Sequence, residues 1–292
     1  MEPSQKVLLA SVLALALYSP LQVNAAEKMA PKEQSQPNYF AALSVEYGTG
    51  DYGTSITTDS VTTKLTLGWY PTDRLDLSLE IPYLYQSNST TTPFGMGRFR
   101  TATMQSGGQG QSSGPRRMGS SAFASTFDVN KSQSGIGDLV LKGGYIVVQE
   151  RNAVPEIRPE AYVKFPTADK DKGLGTGEFD AGVGVTLNKW LGDWNGYCEG
   201  VYNYIGKSSD FQLKDYFSYD LGVGYQVTDR FLPALALKGT TNPGDGSPPY
   251  CQLRETALYK ISDRWGVNGY LGEGLTDGTP SFALGAEVNY QF

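Results

Sequence analysis

From Tyr39 onward the chain alternates between apolar and polar residues with a period of two. Tyr39, Ala41, Leu43, Val45 and Tyr47 fall on one side of an extended strand, and Val61, Thr63, Leu65, Leu67 and Trp69 repeat the arrangement after a loop. Leu75, Leu77, Leu79, Ile81, Tyr83 and Tyr85 then lie opposite Asp76, Ser78 and Glu80. The same rhythm predicts apolar rows over Leu139–Val147, Ile157–Phe165, Ala181–Leu187, Cys198–Tyr204, Phe217–Val227, Phe231–Leu237, Leu253–Ile261, Trp265–Leu271 and Ser281–Phe292. Two rows are ambiguous: Cys198–Tyr204 reads in either parity, and Leu253–Ile261 points Glu255 outward unless a bulge shifts it. A series of about twelve strands, each apolar on one face, predicts an all-β fold, a transmembrane antiparallel β-barrel with N- and C-termini periplasmic.

The connections agree with that expectation. Thr72-Asp73-Arg74, Thr228-Asp229-Arg230 and Ser262-Asp263-Arg264 recur between pairs of rows, where hydroxyl and carboxylate side chains favour tight reversals. With Glu150–Glu156 and Leu191–Trp194 they mark one rim. The alternate connections, around 50–58, 87–134, 167–177, 206–213, 240–250 and 275–280, are longer and are expected on the outer side. Trp69, Trp190, Trp194 and Trp265 all stand beside the short turns and are expected to form one interfacial girdle. The last row, SFALGAEVNYQF, resembles the C-terminal signal of outer-membrane barrels, with Phe292 and Tyr290 as the residues expected to engage the barrel-assembly machinery.

Before Tyr39 the chain is of another kind. Val7–Tyr18 is an apolar run too short to span a bilayer, and Val23-Asn24-Ala25 offers small residues for cleavage, so 1–25 is expected to be a signal peptide. Residues 26–37 are polar, contain two prolines and read as a periplasmic lead-in, leaving 38–292 as a single barrel domain.

Composition narrows the function. Mean hydropathy is −0.33, which suits a barrel because half of each strand faces away from lipid. The 35 Gly and 19 Tyr suit closely packed strands with interfacial aromatics, and a net charge of −6 argues against nucleic acid as a partner. The expected partners are outer-membrane lipid and a small-molecule permeant. The two cysteines, Cys198 and Cys251, are expected near opposite ends of separate strands and therefore unpaired. With no histidine, the usual general base and imidazole ligand are missing, and neither enzyme activity nor a cofactor is expected.

The positions opposite the apolar rows carry both signs of charge: Lys64, Asp76, Glu80, Asp138, Lys142, Arg158, Glu160, Lys164, Asp180, Glu199, Asp220, Lys238 and Glu287. These are the candidate lumen residues, which either pair to fill the interior or form a charge ladder that selects permeants. The 87–134 connection carries Arg98, Arg100, Arg116 and Arg117 before its first acidic residue, Asp128, and is a candidate constriction loop if it folds inward onto the carboxylates of the wall. Asp169, Asp171, Glu178 and Asp180 suggest calcium, but their spacing is not that of an EF-hand loop and two lysines compete, so no metal is assigned.

Gly135-Ile136-Gly137-Asp138-Leu139, Lys164-Phe165-Pro166-Thr167-Ala168, Lys172-Gly173-Leu174-Gly175-Thr176-Gly177 and Asp180 resemble the family of outer-membrane transporter-like barrels named for the meta-pathway of phenol degradation. The resemblance implies a barrel that passes small, often aromatic or hydrophobic molecules and implies no catalytic residues. The alternative is a non-transport barrel, structural in the envelope or acting through its surface loops.

Overall fold

The computed structural model describes residues 38–88, 91–94, 97–100, 131–208, 213–244 and 248–292. The expected signal peptide and lead-in lie outside the described residues. Fifteen strands follow in order: β1 (Tyr39–Gly50), β2 (Thr58–Thr72), β3 (Leu75–Gln86), β4 (Thr91–Phe94), β5 (Gly97–Arg100), β6 (Gln133–Ile136), β7 (Leu139–Tyr145), β8 (Glu156–Phe165), β9 (Asp180–Leu191), β10 (Trp194–Tyr204), β11 (Tyr216–Tyr225), β12 (Phe231–Thr240), β13 (Cys251–Lys260), β14 (Trp265–Gly274) and β15 (Phe282–Gln291).

Twelve of them, β1–β3 and β7–β15, are the staves of a closed antiparallel barrel. Each pairs with the next in chain order, β3 continues to β7, and the ring closes where Phe40–Thr49 of β1 run against Phe282–Gln291 of β15. Strand β6 extends the wall against the far end of β3, while β4 and β5 form a separate hairpin at the start of the long connection. Closure gives every stave two hydrogen-bonded neighbours, the condition for a sheet to stand in hydrocarbon.

The expected outward parity holds along all twelve staves. Leu43, Val45, Leu65, Leu67, Leu141, Val183, Val185, Leu235 and Leu284 are exposed on the outside, whereas Ser44, Thr66, Glu80, Thr186, Asp220 and Glu287 are buried inside. The two ambiguous rows resolve. Cys198, Tyr202 and Tyr204 of β10 face outward, between buried Tyr197, Val201 and Asn203. On β13 no bulge intervenes: Leu235 pairs with Glu255 in unbroken register, and Glu255 is exposed on the outer face. Both cysteines are free.

The repeated tight turn has one chemistry. Thr72 Oγ1 accepts from the backbone N–H groups of Arg74 (3.3 Å) and Leu75 (3.1 Å), and Ser262 Oγ does the same for Arg264 (3.4 Å) and Trp265 (3.1 Å). Thr228 Oγ1 accepts from Arg230 N at 3.3 Å. In the Leu191–Trp194 turn, Gly192 takes φ +63°, a left-handed conformation that glycine adopts without strain. The last hydrogen bond of the closing seam, from Phe292 N to Tyr39 O at 2.9 Å, places both described chain ends at this turn rim.

Three of the four tryptophans form the expected belt. Trp69 stacks with Tyr39 (6.5 Å between ring centroids), Trp194 packs on Tyr225 (4.9 Å) and Trp265 on Tyr290 (4.7 Å), all at the turn rim. Trp190 departs from the expectation. It shares the inward parity of Thr186 and Asn188, and packs inside against Tyr197, Leu232, Ala236 and Leu258. Proximity to a turn fixes depth along the barrel, but only parity fixes the face.

Inside and outside, aromatic rings lie flat along the wall by covering glycines. Phe40 covers Gly68, Tyr162 covers Gly182, Tyr197 covers Gly222, Tyr219 covers Gly239 and Tyr270 covers Gly285; in each case a β-carbon on the glycine would fall within the ring. All five are directly opposed in register.

Candidate functional site: the barrel interior

The inward charges are drawn into ion pairs, because a charge leaving water must recover its solvation from a partner. Glu80 on β3 receives Lys64 of β2 at 3.3 Å and Lys142 of β7 at 2.8 Å. Arg158 on β8 binds Asp76 through two nitrogens, at 2.8 and 2.6 Å, and Glu160 at 2.5 Å, its guanidinium lying in the space that side-chain-free Gly144 leaves. Asp220 on β11 accepts Lys238 Nζ at 2.7 Å and the Tyr197 hydroxyl at 2.6 Å. Asn268 donates to Glu287 at 3.0 Å. Glu199 stands opposite Asp220 and Thr186 and makes no ion pair among the described residues. Carboxylates outnumber cations on the described inner wall.

The opposite wall carries residues that the sequence reading did not select. Arg254 of β13 lies with its guanidinium carbon 3.9 Å from the Tyr270 ring centre, donates to Gln252 Oε1 at 2.5 Å and to the Tyr250 hydroxyl at 3.3 Å, and reaches Glu46 of β1 at 3.9 Å. Tyr250 precedes β13, and burial pushes its hydroxyl up to about 12. The ambiguity at Glu255 concealed this group, since fixing Glu255 outward places Arg254 inside. Towards the turn rim the lining turns apolar: Leu232 leans over Gly224 and Tyr197 over Gly222, so the two side chains meet across β11, with Trp190 and Leu258 beside them.

At the far mouth, the connection between β8 and β9 folds inward. Lys164 Nζ is held by Asp138 (3.0 Å), Asp180 (2.7 Å) and Thr176 Oγ1 (3.0 Å). Asp138 also accepts from Ala168 N (2.9 Å) and Asp180 from Gly206 N (3.0 Å), while Thr167 Oγ1 donates to Gly137 O and accepts from Leu139 N, both at 2.9 Å. Asp169 caps a single 3-10 turn, Lys170–Lys172, and Asp180 is a partner of Lys164, so two of the four acidic residues that suggested calcium are engaged within the loop. A β-carbon on Gly175 would lie 2.8 Å from Ala168 Cβ and 2.9 Å from Asp138 Oδ2, which accounts for glycine there. Arg98 and Arg100 are placed only by their backbone on β5, and Arg116 and Arg117 lie outside the described residues.

A closed antiparallel barrel, apolar outside, ion-paired inside and belted by Trp–Tyr pairs, is a transmembrane barrel of the type that stands in outer membranes. The chain belongs to the family described as "Putative MetA-pathway of phenol degradation", whose profile matches residues 95–292. No curated protein matches it. An outer membrane channel from Pseudomonas putida F1 has the same fold, with a TM-score of 0.63 and 18% identity over 90% of this chain and 99% of that one. A toluene transporter from Ralstonia pickettii, covering 89% of this chain and 90% of its own at 7% identity, is a looser likeness with a TM-score of 0.44.

Proposed function

We propose that this barrel is an outer-membrane channel for passive or facilitated uptake of small molecules, aromatic or hydrophobic ones among them, and that it has no catalytic role. The observation that carries this reading is the interior: charged side chains from eight adjacent staves, β2, β3 and β7–β12, face inward between the middle of the barrel and its far mouth. A purely structural barrel has no need of so many desolvated charges, since apolar filling of equal volume is as stable or more so. The thirteen charged candidates named from the sequence are assigned to that lumen. The family description names phenol degradation, which motivates an aromatic permeant.

The turn rim is assigned to the periplasm and the long loops to the outside. The outward aromatic face of β15, ending in Tyr290 and Phe292, is the part offered to the barrel-assembly machinery. The alternative of a sealed barrel draws support from Tyr270 and Leu232, inward-facing and fully buried. Planar-bilayer recording and liposome swelling with purified protein decide between them: discrete conductance steps and solute entry support the channel, and silence in both assays favours the sealed barrel. Sidedness is checked by single cysteines in intact cells, with Asp277→Cys labelled by an impermeant maleimide and Asp73→Cys and Asp229→Cys protected; the reverse pattern would invert the topology.

A further inference from the structure

We infer that the inner wall at the turn end of the barrel holds a binding site for a neutral phenol, built from Asn188 and Trp190 of β9 and Asn195 and Tyr197 of β10. Its use in transport rests on the channel reading; the binding itself does not.

These residues are the corners of a square. Register places Asn188 opposite Tyr197 and Trp190 opposite Asn195, all with the inward parity of Thr186. One diagonal is polar, with Asn195 Nδ2 donating to Asn188 Oδ1 at 2.8 Å. The other is aromatic and continues into Leu232 and Leu258 through the apolar cluster. Sites for small molecules have this composition, a mostly apolar surface with a few placed polar groups.

The amide pair is only half satisfied. Asn188 Nδ2 and Asn195 Oδ1 make no hydrogen bond, although Asn188 is 1% exposed and Asn195 0%. The neighbours do not meet the demand: Tyr197 leans away over Gly222 and donates its hydroxyl to Asp220, and Glu156 of β8, opposite Asn188, leaves Nδ2 unpaired. A buried amide with unmet groups costs free energy that apolar residues of the same shape would not. What the pair keeps open is one donor and one acceptor, on amides already joined to each other. A hydroxyl group answers both, because it donates one hydrogen bond and accepts others. The flanking rings and leucines suit an aromatic body to carry that hydroxyl. Glu156 beside the pair disfavours a second anion, so the neutral phenol fits and a phenolate or carboxylate does not. Trp190, the half-buried member, is where the site meets the lumen.

The test leaves Trp190 as the only tryptophan, with Trp69, Trp194 and Trp265 changed to Phe in the full-length protein, and follows its fluorescence in detergent. Para-iodophenol is expected to quench it saturably by heavy-atom contact, and phenol to reverse the quenching. Para-iodoanisole, which cannot donate a hydrogen bond, and para-iodobenzoate, which is anionic, are expected to need roughly tenfold or more higher concentrations. Asn188→Leu with Asn195→Leu, an apolar pair of similar size, is expected to assemble, as shown by heat-modifiable migration, and to lose the preference for iodophenol over iodoanisole. Should that variant fail to assemble, the three probes on the single-tryptophan protein decide alone. Equal quenching by all three, or quenching that never saturates, overturns the site and leaves the amides to bind water. A leucine variant that keeps the phenol preference overturns the role of the asparagines. Each of these outcomes leaves the channel reading standing, whereas saturable phenol quenching in a protein that neither conducts nor admits solutes supports the site and removes the channel reading alone.

Discussion

Asp263 is the one turn carboxylate whose titration is shifted by a named neighbour: Lys260 Nζ, 2.8 Å away, holds it below the usual carboxylate range. A group depressed in the folded state stabilises the fold above its unfolded value, about 4, and the contribution is lost as pH falls through the lower folded value. The gap in thermal midpoint between the parent and Asp263→Asn should therefore be present at pH 7 and close in strongly acidic detergent solution. Because the pair is exposed, salt should shrink the gap as well. Arg158 makes the opposite case, since its charge is enclosed and divided between Asp76 and Glu160. Asp76→Ala leaves the cation with half its compensation, and urea titration of the folded barrel should show a loss of about 3–5 kcal/mol.

Strand parity was legible in the sequence because lipid on one side and polar filling on the other impose opposite demands on neighbouring residues. The tight turns were legible because a hydroxyl two residues ahead of an N–H is a local device that needs no tertiary partner. What the sequence left hidden was tertiary: the parity of Thr186 and Asn188 turns Trp190 inward, but the cluster it joins there exists because Gly222 and Gly224 on β11 leave room for Tyr197 and Leu232, a fact that belongs to several strands at once. Arg254 and Glu46 went unselected for a related reason, since they meet across β14 and β15. Glu255 is the strand-level anomaly, a carboxylate on the lipid face between Leu235 and Leu271. Acidic residues on that face cost less than the roughly 2–4 kcal/mol of a basic residue at mid-bilayer. Glu255→Leu should accordingly raise the unfolding free energy in phospholipid vesicles by about 1–2 kcal/mol, read from the urea midpoint; an unchanged or lower midpoint would mean that Glu255 has a partner outside the chain.

Taken as a whole, the barrel has an inner wall on which carboxylates outnumber cations among the described residues, and Glu199, opposite Asp220 and Thr186, makes no ion pair there. An excess of carboxylates inside a low-dielectric wall favours cations in transit. Reversal potentials in a salt gradient should show cation preference in the parent and a weaker preference in Glu199→Gln, with little change in conductance amplitude; anion preference in the parent would show that the loop arginines, not the wall, set selectivity. The rings laid over glycines carry a different consequence. In every one of the five pairs the aromatic residue leans towards the strand that follows it in the chain, from β1 to β2, β8 to β9, β10 to β11, β11 to β12 and β14 to β15. A slip of two residues keeps the faces correct but drives a ring into a side chain and leaves a bare groove beside it. Those junctions are keyed like the teeth of a zip, so a misaligned hairpin is penalised as it forms. The junction of β15 with β1 carries no such pair, so the register of the closing seam rests on its hydrogen-bonded ladder and on the registers already set within the chain.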